Sequence, residues 1–341
     1  MLKFWMGCGV SIVFLSVTWL IGIKHQLGYG TPSSRWVFDA YQHKIAAANA
    51  LIGPRTLVVA GSNAMFGIDS AQLSNYWQRP AINLSVNAGL GLPYILHLST
   101  TVARRGDIIL LPMEYALYLD NGVANSQIID YVIARDPLYW HGLHLSEKID
   151  LVNGMAPERW FEGLRKIEDK PVTSGTYGAH HLNFVGDQTH SRGEDRQAGD
   201  IAAVALAATP AKAWHYGMRA SKESGGWQLL ATYATWAREQ GICLVAVPTV
   251  LLHHASYDND AIEQDFYATL PQRMQSLGIN YVGKPRDFMY QADWFFDTDH
   301  HLQDWARQRH TASLIALLNK DPASYCTPPK IYQQSFRKLG F

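Results

Sequence analysis

From Thr56 onward the sequence alternates short, uninterrupted apolar runs with longer helical stretches, and this alternation limits the fold more than any other feature. The runs occupy 56–60, 81–84, 107–111, 242–247 and 279–282. They are too short for helices and lack the polar alternation of a half-wetted strand, so each is expected to be a strand buried on both faces. Helices are expected between them, at 93–104, 227–240, 264–277 and 303–318, with Gly241 and Gly278 at the positions of C-cap glycines. Strands of this kind alternating with helices imply an α/β fold with a mostly parallel sheet covered by helices. The stretch 120–225 breaks the rhythm. It is rich in Gly, His and Trp, shows no clear strand, and reads as an insertion over one end of the sheet, where open α/β folds place their ligands.

A second constraint lies at the N-terminus. Twenty residues, opening at Phe4 and closing at Ile23, contain no charge. At 1.5 Å per residue such a helix covers the roughly 30 Å hydrocarbon core of a bilayer. A cleaved signal peptide is the rival reading, but the run ends Ile21-Gly22-Ile23-Lys24, with no small-residue cleavage pattern, so an uncleaved anchor is preferred. Charge on the two flanks differs little and leaves orientation open. An N-in anchor exporting the large C-terminal part is the simpler topology. The expected organisation is a transmembrane anchor over 1–23, a stalk with one helix over 24–54, an α/β domain over 55–320 carrying the insertion, and a tail over 321–341. Within the stalk the helix is expected over 36–52, with Ser33 or Ser34 as its N-cap.

Composition narrows the function. The chain has 341 residues, with 29 Lys and Arg against 29 Asp and Glu, and 48% hydrophobic residues. A chain this apolar buries a core and is not disordered. The absence of a basic excess argues against nucleic acid as a partner. Three cysteines are too few for a disulfide scaffold, although Cys243 and Cys326 are free to pair in an oxidising compartment.

Three stretches carry potential chemistry. At 58–69 a strand runs into Gly61-Ser62-Asn63, an arrangement that presents a serine at the carboxyl edge of a sheet beside free backbone N–H groups; an ordinary strand–turn has the same pattern. At 295–302 Asp297, Asp299, His300 and His301 precede the last helix. A serine nucleophile needs a base, and the base needs a carboxylate to fix its tautomer, which this loop has the residues to supply. A helix N-terminus also favours Asp there. A metal site is disfavoured, since the paired histidines come with no H-E-x-x-H spacing and no clustered cysteines. At 83–92 small residues after the second strand bring backbone amides within reach of a ligand.

Taken in order, these stretches resemble the SGNH/GDSL hydrolase superfamily, and most of all its membrane-anchored branch associated with acylation of cell-surface polysaccharides. The similarity rests on the strand followed by Gly61-Ser62-Asn63 and Gly67-Ile68-Asp69, on Asn83, Asn87 and Gly89, on Arg105-Gly106-Asp107 through Glu114-Tyr115, and on Asp297 through His301-Leu302 with Arg307 and Thr311. It covers about 55–320, leaving 120–225 unmatched. The resemblance implies an SGNH-like three-layer α/β/α fold, Ser62 as nucleophile, His301 as base and Asp297 as its orienting acid. His300 and Asp299 remain alternates on the same loop. It implies an oxyanion hole from the amide of Ser62 and an amide near Ala88 or Gly89, with Asn63, Asn87 and Glu114 toward the substrate. No cofactor or metal is implied.

The sequence departs from the family pattern at three points. Asn63 follows the serine, so a register shifted by one would replace the nucleophile. Glu114 stands near the place of an oxyanion-donating Asn, and a carboxylate cannot stabilise an oxyanion unless protonated, so Glu114 is expected to bind substrate hydroxyls or neighbouring structure. Ala306 replaces a helix glycine. The reaction implied is acyl transfer through a Ser62 ester, with O-acetylation of a surface polysaccharide preferred over a periplasmic carbohydrate esterase or a non-catalytic scaffold subunit. By the same resemblance the domain is periplasmic, tethered to the inner membrane, with an MBOAT-type membrane acyltransferase as acyl-donating partner. Trp140, Trp160 and Trp214 in the insertion are candidates for stacking on sugar rings or for its own small core.

Overall fold

A computed structural model describes residues 2–166, 170–220 and 224–326. The chain divides into two units, one of 1–39 with 123–173 and one of 40–122 with 174–341. This division runs differently from the expected organisation in two places. The stalk is not a separate linker, since the division falls inside its helix. The insertion is not one body, since its first half belongs with the N-terminal helix and its second half with the sheet. The tail beyond Cys326 lies outside the described residues.

The first unit is helical. Helix α1 (Leu2–Gln26) is long and apolar enough to cross a membrane. Helix α2 (Pro32–Ala50) starts its first turn in this unit. It begins four residues earlier than expected because Pro32, with its preset φ, occupies the first turn. Of the two serines expected to cap it, Ser34 Oγ accepts from Arg135 Nε at 3.1 Å, and Ser33 turns with Thr31 to Asp130. Thr31 Oγ1 and Ser33 Oγ donate to Asp130 Oδ2 at 2.7 and 2.9 Å, and Arg159 pairs with the same carboxylate. Trp160 stacks on Trp19 with ring centroids 5.2 Å apart, and a Cβ at Gly22 would meet the Trp160 ring at 2.5 Å. Glycine at 22 therefore lets this indole lie flat on α1.

The second unit is α/β. Its strands are β1 (Thr56–Val58), β2 (Ala81–Asn83), β3 (Ile108–Leu111), β4 (Cys243–Ala246), β5 (Leu251–Leu252), β6 (Asn280–Tyr281) and β7 (Met289–Tyr290). Five form one parallel sheet in the order β2-β1-β3-β4-β6, and β5 and β7 pair separately. Each of the five expected strands is found, shortened at its ends. Leu57, Val58, Ile82, Ile109 and Leu110 are wholly buried, as their unbroken apolar runs require. Helices α3 (Ser62–Gly67), α4 (Ser70–Trp77) and α5 (Gly91–Val102) follow the first strands. Gly241 closes the helix Gly225–Gln240 at φ 68°, the left-handed cap that glycine adopts at least cost.

The strand order positions the site. From β1 the chain moves to β2 on one side, then to β3 on the other. This reversal opens a crevice at the carboxyl ends of β1 and β3. Ser62 follows β1, Ala88 follows β2, Glu114 follows β3 and Thr249 follows β4.

Candidate active site

Ser62 opens helix α3, and Phe66 stands one turn later on the same face. Across from them the loop 296–301 is closed by a 2.7 Å hydrogen bond from the Phe296 amide to the His301 carbonyl. That closure sets Asp297 and His301 side by side. His301 Nε2 lies 2.8 Å from Ser62 Oγ, and His301 Nδ1 lies 2.8 Å from Asp297 Oδ1. The Phe66 ring stacks on the His301 imidazole at 4.2 Å and 7°, fixing its plane. The three side chains form one hydrogen-bonded line, with Ser62 part-exposed and the other two buried.

Tyr177 joins this line, donating its phenolic proton to Asp297 Oδ2. Burial works against the Asp297 charge, but His301 and the hydrogen bonds from His301 and Tyr177 outweigh it and hold the carboxyl below its ordinary range. Burial, then Asp297, push the Tyr177 phenol up, so it stays a donor. Sequence reasoning missed Tyr177. It lies in the stretch without pattern, and only the path of that stretch across the sheet edge brings it here.

The alternates are placed elsewhere. His300 Nδ1 sits 2.8 Å from Asp299 Oδ1, and Trp214 Nε1 donates to the other oxygen of Asp299. This second pair is not on Ser62, so the geometry selects His301 and Asp297. Burial disfavours the charged form of His300, but Asp299 and Glu114 overcome it and raise its pKa. Of the three tryptophans, Trp214 alone belongs to the unit with this site; Trp140 and Trp160 belong with α1.

Glu114 is turned to the backbone around Ser62. Its Oε2 accepts the Gly61 amide at 3.0 Å and its Oε1 accepts the Asn63 amide at 3.1 Å. It thus holds the turn on both sides of Ser62. Burial pushes its carboxyl up, against the opposing pull of His300 and these two amides. Asn63 is also turned inward. It is 1% exposed, and its amide nitrogen donates to the Pro112 carbonyl and to Thr249 Oγ1. Asn87 accepts the Gly89 amide at 2.7 Å. Of the residues expected toward the substrate, Asn63 and Glu114 are thus bonded to the protein around the turn, and for Glu114 this is the neighbouring-structure alternative. The Gly89 amide is committed to Asn87, whereas among the described residues the Ser62 and Ala88 amides make no hydrogen bond. A Cβ at Gly61 would meet Glu114 Oε1 at 2.4 Å and the Ala88 nitrogen at 2.5 Å, so glycine there lets these groups close around the serine.

His181 stacks on His190 with centroids 4.2 Å apart, and His180 lies against His181. Among the described residues no group of three His, Cys, Asp or Glu is placed to hold a metal ion. Comparison with known proteins finds no matching family model, no matching curated protein and no matching solved structure.

Proposed function

We propose that the chain is a membrane-anchored serine acyltransferase or esterase of SGNH type, acting through a Ser62 acyl-enzyme and O-acetylating a cell-surface polysaccharide. The observation that carries this reading is the line from Ser62 through His301 to Asp297 at hydrogen-bond distances. Ser62 Oγ attacks the carbonyl carbon of an acyl donor while its proton passes to His301 Nε2. The tetrahedral oxyanion is held by the Ser62 and Ala88 amides, each worth about 3 kcal/mol in comparable sites. Collapse expels the donor's leaving group, which takes the proton from His301. A sugar hydroxyl then gives its proton to His301 and attacks the ester, releasing Ser62; if water attacks instead, the same steps make an esterase. Asp297, held ionised, stabilises the imidazolium in both half-reactions.

The export of this site to the periplasmic side of the inner membrane is part of the same reading. One helix long enough to span and a disulfide between Cys243 and Cys326, a bond kept in oxidising compartments, support it. An exported transferase needs acyl groups passed across the membrane, and the family resemblance suggests an MBOAT-type membrane acyltransferase as that partner.

The test is Ser62→Ala. The expected result is loss of labelling by a fluorophosphonate, loss of acetyl-ester hydrolysis and loss of polymer acetylation in cells, with the fold retained by circular dichroism. Survival of all three activities sinks the serine mechanism. Mass spectrometry of the polymer separates the two acceptors, since loss of a transferase lowers its acetylation and loss of an esterase raises it.

A further inference from the structure

The helical unit presents an apolar surface that the catalytic reading does not use. A groove of about 650 Å³ runs along the C-terminal half of α1. One wall is Leu15, Trp19 and Leu20 of α1, and the facing wall carries Trp140, Ile149 and Val152. The helix Leu145–Asn153 places Leu145, Ile149 and Val152 at i, i+4 and i+7, one continuous stripe, with Glu147 and Asp150 away from it. Among the described residues the stripe is only partly covered, since Leu145 is 74% exposed and Ile149 49%. Leu138 on the preceding helix is 83% exposed. Lys148 also lines the groove, and its Nζ is taken up by the Leu143 carbonyl, to which it donates at 2.8 Å.

The depth of this surface follows from its first wall. Leu15 to Leu20 precede Gln26, the end of α1, by eleven to six residues, which is about 9 to 16 Å along a helix axis. Reading α1 as a membrane span, on which this inference rests, puts that wall inside the hydrocarbon of the leaflet where the span ends. Whatever packs against it lies at the same depth.

We infer that the helices of residues 137–165 are embedded in that leaflet beside the span, and that lipid acyl chains fill the groove. The first unit is then an interfacial platform, not a plain single-helix anchor.

The full chain, in a Cys8→Ala background, tests this after reconstitution into vesicles of pure phospholipid. A nitroxide is attached at Leu145→Cys or Ile149→Cys, with Ile12→Cys as a position within the span and the exposed Gln228→Cys as a position on the α/β unit. Power saturation compares collision with oxygen, which concentrates in lipid, against a water-soluble nickel chelate. The inference expects positions 145 and 149 to behave like 12, oxygen-dominated, and unlike 228. Nickel-dominated collision at 145 and 149 with oxygen dominance at 12 overturns it and points to a protein partner as occupant. Nickel dominance at 12 as well overturns it through the span. Neither outcome touches the Ser62 reading, which the fluorophosphonate test decides separately.

Discussion

Glu114 separates what a residue type suggests from what its surroundings make it do. As a carboxylate near a serine it was open to substrate hydroxyls or to neighbouring structure. Its two oxygens take the amides on either side of Ser62 and leave the Ser62 amide without a hydrogen bond among the described residues. Glutamine at 114 keeps the volume but turns an amino group toward one of those amides. Glu114→Gln is expected to lower kcat for a small acetyl ester on the order of 10²-fold, the usual scale for a nucleophile displaced by about an ångström, with little change in KM. Because burial pushes this carboxyl up, protonation reaches it at a higher pH than in an exposed glutamate. The wild-type rate therefore falls as pH drops through that range, and the variant loses this limb. Steady-state rates across pH check both, and an unaltered rate in Glu114→Gln would mean the turn holds without the carboxylate. Ser62, His301 and Asp297 were legible in the sequence because strand ends and helix starts are local. The choice between His300 and His301 was not, since adjacent residues share every local feature and differ only in where the closed loop aims them.

At the level of elements, an ion pair sealed within the fold joins the ends of four of them. Arg55, just before β1, and Asp107, just before β3, are both fully buried. Arg55 also donates to the carbonyls of Ala48 in α2 and Val102 in α5, while Asp107 accepts the Arg104 amide. Asp107 belonged to a motif that the family resemblance singled out, and its work is to tie the amino ends of β1 and β3 into register. Asp107→Asn leaves the guanidinium buried without its counter-charge and is expected to cost about 3–5 kcal/mol. Urea unfolding of the detergent-solubilised chain measures it, and a loss below about 1 kcal/mol, the worth of an exposed pair, contradicts the assignment. The strands were legible because burial on both faces leaves an unbroken apolar run. Their ends and the start of α2 were not, because hydrogen bonding at the sheet edge and Pro32 decide those.

For the molecule as a whole, the longest covalent tie is the disulfide from Cys243 in β4 to Cys326, with a sequence separation of 83. It holds the segment after the last helix of the α/β unit against the sheet. Reduction is expected to lower the stability of that unit by about 2–4 kcal/mol. Unfolding with and without a thiol reductant measures it, and coincident curves would show that the bond carries no stability. The sequence by itself determined the class of fold, the helix able to span a membrane and the loops that carry Ser62, Asp297 and His301, because apolar periodicity and turn residues act over a few neighbours. Only the tertiary structure decided which histidine faces Ser62, that Tyr177 joins Asp297, that Asn63 and Glu114 turn inward, and that the insertion is shared between two units. Each of these depends on contacts between residues tens to hundreds of positions apart, and no local pattern encodes such a contact.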